Sequence, residues 1–379
     1  GAAYDPEDQK GLSNLTCEMA LRGCGDRDSR QFIEDLEGLG VESGESVSVS
    51  HSTFRGATLA ANLFDALGIY SDLLRRPTLP ADQLEQGRQV ALQELRSIDD
   101  EPSTKVMLEL RRRHYPHPWG RSHHGSVDGL SAITIEDIQK MHSTAYRPNG
   151  TILGIAGRFD WEQLKDHVGQ LLGDWPRSEL SEPAIGPLQV QQEHLHHESN
   201  QTHIAVAYPS VPYHHEDYFE SWGAVGVLSD GSSSRLFTEI REKRGLCYSV
   251  SASPRTLKNC GSVFCYAGTS ADRAQETLDV LLAELIRLSE GIQASELNRL
   301  KARMKSALIM ALESSMARAG AIARDWYYLT EVRTLSQIGT LVDALTPETI
   351  NAYLVQNPPG QFTVVTLGPQ PLELKVGVS

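Results

Sequence analysis

The sequence predicts an α+β protein built from two tandem copies of one unit, each a β-sheet covered by helices. Two observations lead to this prediction. Stretches with apolar residues at helical spacing alternate with short runs rich in β-branched and aromatic residues. In addition, segments of the first half return in the second half, in the same order, at offsets between 205 and 212 residues.

The repeat is clearest between residues 29–40 and 234–245, which agree in six of twelve positions. Two further blocks recur in the same order: 132–138 as 344–350, and 149–157 as 359–367. A repeat of this length excludes a small-period solenoid and indicates the duplication of a whole domain. We therefore expect domains at 1–178 and 190–379, with the proline-rich and polar stretch 176–192 as the linker.

The individual elements follow from periodicity and from stop signals. Leu12, Leu15 and Met19 form an apolar stripe on the first helix, and Gly245 ends the helix that precedes LCYSVSAS. Glu94 lies beside the stripe of its helix, so its carboxylate is expected to point partly inward. Helices are predicted at 12–21, 29–38, 62–74, 81–98, 101–114, 135–145, 160–173, 217–228, 234–244, 272–288, 293–313, 319–332, 335–344 and 347–355. Strands are predicted at 46–59 (two strands), 150–157, 203–211, 246–253, 263–267 and 361–367.

The duplication also predicts that the first copy lacks its opening strands. In the second copy the strand-like run 203–211 precedes the helix 217–228, and its counterpart would fall before residue 1. Any signal peptide would lie in that missing part. The sequence therefore leaves the compartment open between the bacterial cytoplasm and the periplasm.

Composition excludes several classes of function. A formal charge of −14 and the lack of a basic stripe argue against a nucleic-acid surface. The longest apolar runs are too short to cross a bilayer. Five cysteines without a CxxC spacing favour buried or free thiols over a disulfide framework. The SDGSS loop lacks the lysine of a phosphate-binding loop, which argues against a nucleotide site.

Five ordered segments carry a family resemblance that spans most of the chain: GLSNLTCEMALRG, LEQGRQVALQELRS, HPWGRSHHGSVDGLSAITIEDIQ, YRPNGTILGIAGRFD and SSSRLFTEIREKRGLCYSVSA. Together they resemble the insulinase/pitrilysin family of zinc peptidases. The similarity is greatest to its mitochondrial-processing-peptidase-like branch, whose subunits pair into a clamshell. The resemblance implies that this chain is half of such a clamshell, with an antiparallel-rich sheet in each domain.

The resemblance also implies a degenerate zinc site. In the family, an H-x-x-E-H motif on the first helix supplies two zinc ligands and the glutamate that activates water, and a glutamate on a later helix completes the site. Here Asn14 and Glu18 stand at the histidine positions, Cys17 stands at the glutamate position, and only Glu94 matches. We therefore expect no catalytic residue and no metal in this chain. The alternative is a metal held by Cys17, Glu18 and Glu94.

The substrate-binding pair of the family is present. An arginine and a tyrosine seven residues apart in the second domain hold the substrate carbonyl and help to stabilise the oxyanion, and Arg241 and Tyr248 have this spacing. The competing interpretation is that Arg241 pairs with a carboxylate on the helix surface and that Tyr248 fills a strand face.

The histidine clusters are interpreted as scattered surface residues rather than metal ligands, since no carboxylate-and-histidine pattern accompanies them. They are His114, His117, His123, His124, His194, His196, His197, His214 and His215.

These observations predict a non-catalytic, substrate-binding subunit of a two-chain insulinase-family peptidase. A catalytic partner would contribute the zinc, and the ligand shared by the two chains would be a peptide. The first alternative is a scaffold protein, for instance a homodimer, that resembles the core proteins of the respiratory bc1 complex. The second alternative is an active metalloendopeptidase with an altered metal site.

Overall fold

The computed structural model describes residues 1–311 and 313–374 and confirms the α+β fold class. The helices are α1 Leu12–Ala20, α2 Ser29–Gly38, α3 Leu63–Arg75, α4 Leu84–Ser97, α5 Pro102–His114, α6 Val127–Ala132, α7 Ile135–Ala145, α8 Trp161–Leu172, α9 Tyr218–Ser229, α10 Ala274–Arg287, α11 Ala294–Ala311, α12 Ser315–Leu329, α13 Leu335–Ala344 and α14 Pro347–Gln356. The strands are β1 Gly23–Cys24, β2 Arg27–Asp28, β3 Glu42–Val47, β4 Ser52–Ala57, β5 Gln192–His196, β6 Gln201–Ser210, β7 Cys247–Leu257, β8 Cys260–Ser270 and β9 Thr363–Gly368. Within these residues, no helix is both long enough and apolar enough to span a membrane.

The chain forms two compact units that interleave along the sequence. The first unit consists of residues 1–99, 121–184 and 314–324. The second contains residues 100–120 together with the described parts of 185–313 and of the stretch from 325 onward. Helix α5 therefore belongs to the second unit, although it precedes much of the first unit in sequence. The predicted domain boundary between residues 178 and 190 was derived from the duplicated segments, and it stays a prediction.

The first unit is largely helical and is built around α1. The predicted stripe of this helix is buried, with Leu15 and Met19 fully inaccessible to solvent. Helices α4 and α7 pack against it. The two strands predicted between residues 46 and 59 form the antiparallel hairpin β3–β4. All five cysteines of the chain are free thiols, as the sequence predicts.

The second unit contains a five-stranded sheet in the order β5-β9-β6-β8-β7. Only the β5–β9 pair is parallel, and the other neighbouring strands are antiparallel. On one face, Ile204 and Val206 of β6 join the main hydrophobic core with residues of α9 and α10. Helix α5 lies against β6 and β9. The imidazole of its last residue, His114, makes hydrogen bonds with Ser262 on β8 and with Thr363 on β9.

The duplication is visible in the way two equivalent helices begin. Thr134 caps α7 by accepting a hydrogen bond from the Asp137 amide, and Thr346 caps α14 in the same way from the Thr349 amide. Each helix has a capping box, and each buries the isoleucine four residues after its cap, as shown by Ile138 and Ile350. The two sequence blocks therefore fold alike.

This equivalence predicts equal costs for two substitutions. Because each hydroxyl satisfies an otherwise unpaired amide, Thr134→Ala and Thr346→Ala should each reduce the free energy of unfolding by about 1 kcal/mol. Thr340→Ala is the control, since that exposed hydroxyl donates to the Ser336 carbonyl within α13 and does not cap a helix start. Urea unfolding of the three variants measures the costs. A cost at one cap and none at the other would contradict the equivalence.

The strand predicted at 150–157 is wrong. These residues lie outside any ladder, and Ile152 and Leu153 are exposed. In the second unit the equivalent strand, β9, lies between β5 and β6. The described residues of the first unit contain no counterpart of those two strands. An extended segment without neighbours cannot form the hydrogen bonds that define a strand, and Gly154 instead packs against the Ala319 backbone of α12.

The helix predicted at 234–244 also differs from the structure. Residues Phe237–Glu242 form a π-helix, in which the Lys243 amide donates to the Thr238 carbonyl five residues earlier at 2.9 Å. Such wide turns are rare and occur frequently at functional sites. The segment that carries Arg241 is therefore not a regular α-helix.

Candidate functional site

Helix α1 is held in place by a buried carboxylate at its start. Asp5 accepts hydrogen bonds from the amides of Gly11 (3.0 Å) and Ser13 (2.9 Å) and from the Ser13 hydroxyl (2.6 Å). Gly11 has a φ of +105°, and a Cβ there would lie 2.7 Å from the Leu130 side chain. These contacts fix the first turn of α1, which carries Asn14.

Asn14 and Glu94 approach each other across α1 and α4. The Asn14 side-chain amide donates to a Glu94 carboxylate oxygen at 3.3 Å. Glu94 as a whole is exposed to solvent, but its carboxylate turns toward α1, in the direction that the sequence predicts. The Asn14 amide nitrogen carries donor protons where a metal ligand would offer a lone pair.

Glu18 is bound by an arginine, and Cys17 is buried. Both nitrogens on one edge of the Arg22 guanidinium bind one Glu18 carboxylate oxygen, at 2.7 and 3.2 Å. Cys17 is 2 % exposed, and burial, reinforced by Glu45 and Glu18, raises the pKa of its thiol to about 12. This environment disfavours the thiolate, which is the form that zinc binds.

This set of donors does not fit the zinc site of the family. An amide turned toward a carboxylate, a protonated thiol and an arginine-bound glutamate replace two imidazoles and a general base. Across residues 1–311 and 313–374, no group of three or more histidine, cysteine, aspartate or glutamate side chains is placed to hold a metal ion. Helix α1 is thus retained in the fold, whereas its motif positions carry other side chains than those of the family.

Arg241 projects from the π-helix into solvent. Its guanidinium carbon lies 4.8 Å from the centre of the Phe237 ring, a cation–π contact. The nearby carboxylate of Glu239 is bound by Lys243 (2.6 Å) and Arg244 (2.8 Å). Among the described residues, no carboxylate lies within ion-pair distance of Arg241. The ion pair of the competing interpretation is therefore not formed.

Tyr248 lies at an irregularity in the sheet. The register of β7 against β8 shifts between Cys247, which pairs with Thr269, and Ser249, which pairs with Gly268. Tyr248 is the extra residue of this bulge, and its side chain is 57 % exposed. Bulges redirect side chains next to functional sites. Tyr248 therefore does not fill a packed strand face.

Two residues that the sequence analysis did not single out lie beside Tyr248. Tyr266 on β8 and His203 on β6 share a hydrogen bond of 2.8 Å between the Tyr266 hydroxyl and His203 Nδ1. Gly268 has the hydroxyls of Tyr266 and Tyr248 above it. Only the register of three strands brings these residues together, so no local signal could have found them.

The interpretation of His114 as a surface residue is wrong. Its imidazole is 0 % exposed, and both ring nitrogens have hydroxyl partners, Ser262 at 2.8 Å and Thr363 at 3.0 Å. Burial lowers its pKa to about 4. This histidine links α5 to the sheet through both of its ring nitrogens.

Comparison with known proteins extends these observations. The family model described as Insulinase (Peptidase family M16) matches residues 1–122, and the model described as Peptidase M16 inactive domain matches residues 132–304. A Bacillus subtilis relative, the uncharacterized zinc protease YmxG, is 24 % identical over 364 residues, covering 94 % of this chain and 88 % of the relative.

Solved structures share the fold. The peptidase M16 inactive domain from Pseudomonas fluorescens superposes with a TM-score of 0.88 at 21 % identity, over 99 % of this chain and 91 % of that one. A protease from Helicobacter pylori gives a TM-score of 0.85 at 22 % identity, over 97 % and 91 %. Since the two models of one family together match well over half of the residues, the chain belongs to the insulinase family of peptidases, family M16.

Proposed function

We propose that this protein is the non-catalytic, substrate-binding subunit of a two-chain M16 peptidase. A partner chain with an intact H-x-x-E-H motif would hold the zinc ion and activate the water. This chain would present Arg241 and Tyr248 to the carbonyl oxygen of the bound peptide.

One contrast within the chain carries the proposal. At the motif positions of α1, Asn14 donates to Glu94, the Cys17 thiol is buried, and Glu18 is held by Arg22. In the second unit, Arg241 has no carboxylate partner among the described residues, and Tyr248 is exposed on a bulge. These contacts support a loss of metal binding at α1 and the retention of an exposed cation and an exposed phenol in the second unit.

The chemistry of the pair suits a peptide carbonyl. Negative charge develops on the carbonyl oxygen as water attacks, and a guanidinium and a phenolic hydroxyl both stabilise such charge. The Phe237 ring restricts the Arg241 guanidinium, so less side-chain freedom is lost when a ligand binds.

The experiment mixes the purified chain with an M16 chain from the same genome that has an intact H-x-x-E-H motif, and follows the cleavage of a fluorogenic peptide. We expect the mixture to cleave the peptide much faster than either chain alone. Equal cleavage by the partner alone would contradict the proposal and favour the scaffold alternative. Metal-dependent cleavage by the isolated chain would favour the altered-site peptidase.

A further inference from the structure

One face of the five-stranded sheet packs against helix α5 and also carries Tyr248. A Cβ on Gly268 would lie 2.8 Å from the Tyr266 hydroxyl oxygen and 3.3 Å from the Tyr248 hydroxyl oxygen, so the three residues share a face. Phe264 lies on this face as well, because it precedes Tyr266 by two residues on β8. Its ring stacks on that of Tyr115, the residue after α5, with 5.7 Å between the ring centres. This side of the sheet is called the α5 face.

Arg255 lies on the α5 face near the opposite end of β7 from Tyr248. It is paired with Ser262 on β8, and paired residues of neighbouring strands project on the same side of a sheet. The Ser262 hydroxyl makes a hydrogen bond of 2.8 Å with His114, the last residue of α5. Arg255 is therefore an exposed cation beside the last turn of α5.

Arg111 belongs to that last turn of α5. Its guanidinium carbon lies 5.3 Å from the centre of the Tyr115 ring, which in turn stacks on Phe264 of the sheet. The guanidinium is thus held over the α5 face. Burial lowers the pKa of Arg111, and the positive charge of Arg255 lowers it further, as expected of two neighbouring cations.

Neither of these two arginines has a carboxylate partner in the described part of the chain. The next two arginines of α5, Arg112 and Arg113, both bind Glu109, whereas no carboxylate lies within ion-pair distance of Arg111 or Arg255. The chain has 49 acidic and 35 basic residues, so carboxylates are not in short supply. Two cations without a counterion favour the binding of an anion, and guanidinium groups match the geometry of a carboxylate.

We propose that Arg111 and Arg255 form an anion-binding subsite for a carboxylate of the peptide whose carbonyl group Tyr248 contacts. The inference rests on the proposed function for the identity of this ligand as a peptide. Arg255 follows Tyr248 by seven residues, which corresponds to about 23 Å along a strand. An extended peptide along β7 would therefore place its carboxylate about six to eight residues from the carbonyl group at Tyr248. The substrate class is a peptide with an acidic side chain, or its own C-terminus, at that distance.

The first test measures peptide binding to the isolated full chain by fluorescence anisotropy. Three decapeptides with a neutral fluorophore differ in one group: a single glutamate, a glutamine in its place, or that glutamine with a free instead of an amidated C-terminus. We expect the glutamate peptide to bind about tenfold more tightly than the amidated glutamine peptide, the effect of a charge-assisted hydrogen bond. Tighter binding of the third peptide alone would support the subsite and assign it to the C-terminal carboxylate. Equal affinities, or no binding of any of the three, would overturn the inference.

Charge variants locate the preference. Arg111→Gln and Arg255→Gln should each remove most of it, because each keeps a polar side chain and loses the charge. Arg112→Gln is the matched control, since it removes an exposed guanidinium that is engaged with Glu109, and it should keep the tenfold difference. Arg255→Glu should reverse the preference in favour of a peptide with lysine in place of glutamate, a result that misfolding cannot produce. Retention of the wild-type preference in all these variants would overturn the inference.

The second test uses the two-chain enzyme and fluorogenic peptides in which one glutamate is moved along the sequence. We expect kcat/KM to be highest when the glutamate lies about six to eight residues from the scissile bond, and Arg255→Gln should flatten this profile. A flat profile in the wild type would overturn the inference and leave the proposed function intact. If the mixture cleaves no peptide while the isolated chain keeps its charge preference, the proposed function fails and the anion-binding subsite stands.

Discussion

Arg241→Ala is expected to lower kcat/KM of the two-chain enzyme about 100-fold, the cost of removing one donor from an oxyanion-binding site. The guanidinium is exposed, has no carboxylate partner among the described residues, and is held only over Phe237. Its removal should therefore cost the fold little. Peptide cleavage by the mixed chains, with circular dichroism of the variant, separates the two effects.

Two further variants sharpen this prediction. Lys243→Ala removes a positive charge two residues away that is engaged with Glu239, and it should leave the rate nearly unchanged. Arg241→Lys keeps the charge but loses the planar fork, and it should fall between the wild type and Arg241→Ala. Equal losses in Lys243→Ala and Arg241→Ala would show that only the local positive charge matters, and would contradict a specific contact with the carbonyl.

Acidification is expected to destabilise the protein by about 3 kcal/mol through His114 alone, between the ordinary histidine pKa near 6.5 and the folded value of about 4. In this range the unfolded chain takes up a proton, whereas the buried imidazole, bonded to Ser262 and Thr363, stays neutral. The stabilising contribution is thus complete above the unfolded pKa and is lost as the pH falls toward the folded pKa.

Urea unfolding at about pH 7 and about pH 5 measures this effect, of which about 2 kcal/mol should be lost between the two conditions. His114→Gln removes the titrating group, so its stability should fall by about 2 kcal/mol less than that of the wild type over the same interval. His196→Gln, which removes an exposed imidazole near Glu198, is the control and should keep the wild-type difference. An identical pH dependence in His114→Gln and wild type would contradict the assignment.

The elements that sequence reasoning predicted well are those whose causes are local. The stripe of Leu12, Leu15 and Met19 needs only helical periodicity, and the helices predicted at 135–145 and 347–355 correspond to α7 and α14. Both features were therefore visible in short windows of sequence.

The failures have non-local causes. The apolar run at 150–157 has the composition of a strand, but a strand also needs neighbours, which its counterpart β9 finds in β5 and β6. The interleaving that assigns α5 to the second unit depends on packing between residues far apart in sequence. The choice of a π-helix at 237–242 depends on hydrogen bonds that composition does not specify.

In the candidate site, too, features with local causes could be predicted from sequence and features with non-local causes could not. The side chains at the three motif positions, Asn14, Cys17 and Glu18, could be compared with the family from sequence because the motif is contiguous on one helix. The contacts of these side chains, such as that of Arg22 to Glu18, required coordinates. The proximity of Tyr248, Tyr266 and His203 depends on strand register, and His203 and Tyr266 alone are 63 residues apart in sequence.

Peptide cleavage by the isolated chain at saturating zinc tests most directly whether this chain can hydrolyse the peptide that it is proposed to bind. The structure predicts no hydrolysis above that of buffer, and an identical result for Cys17→Ala and Glu94→Ala. Hydrolysis that a chelator abolishes, and that either substitution eliminates, would contradict the account.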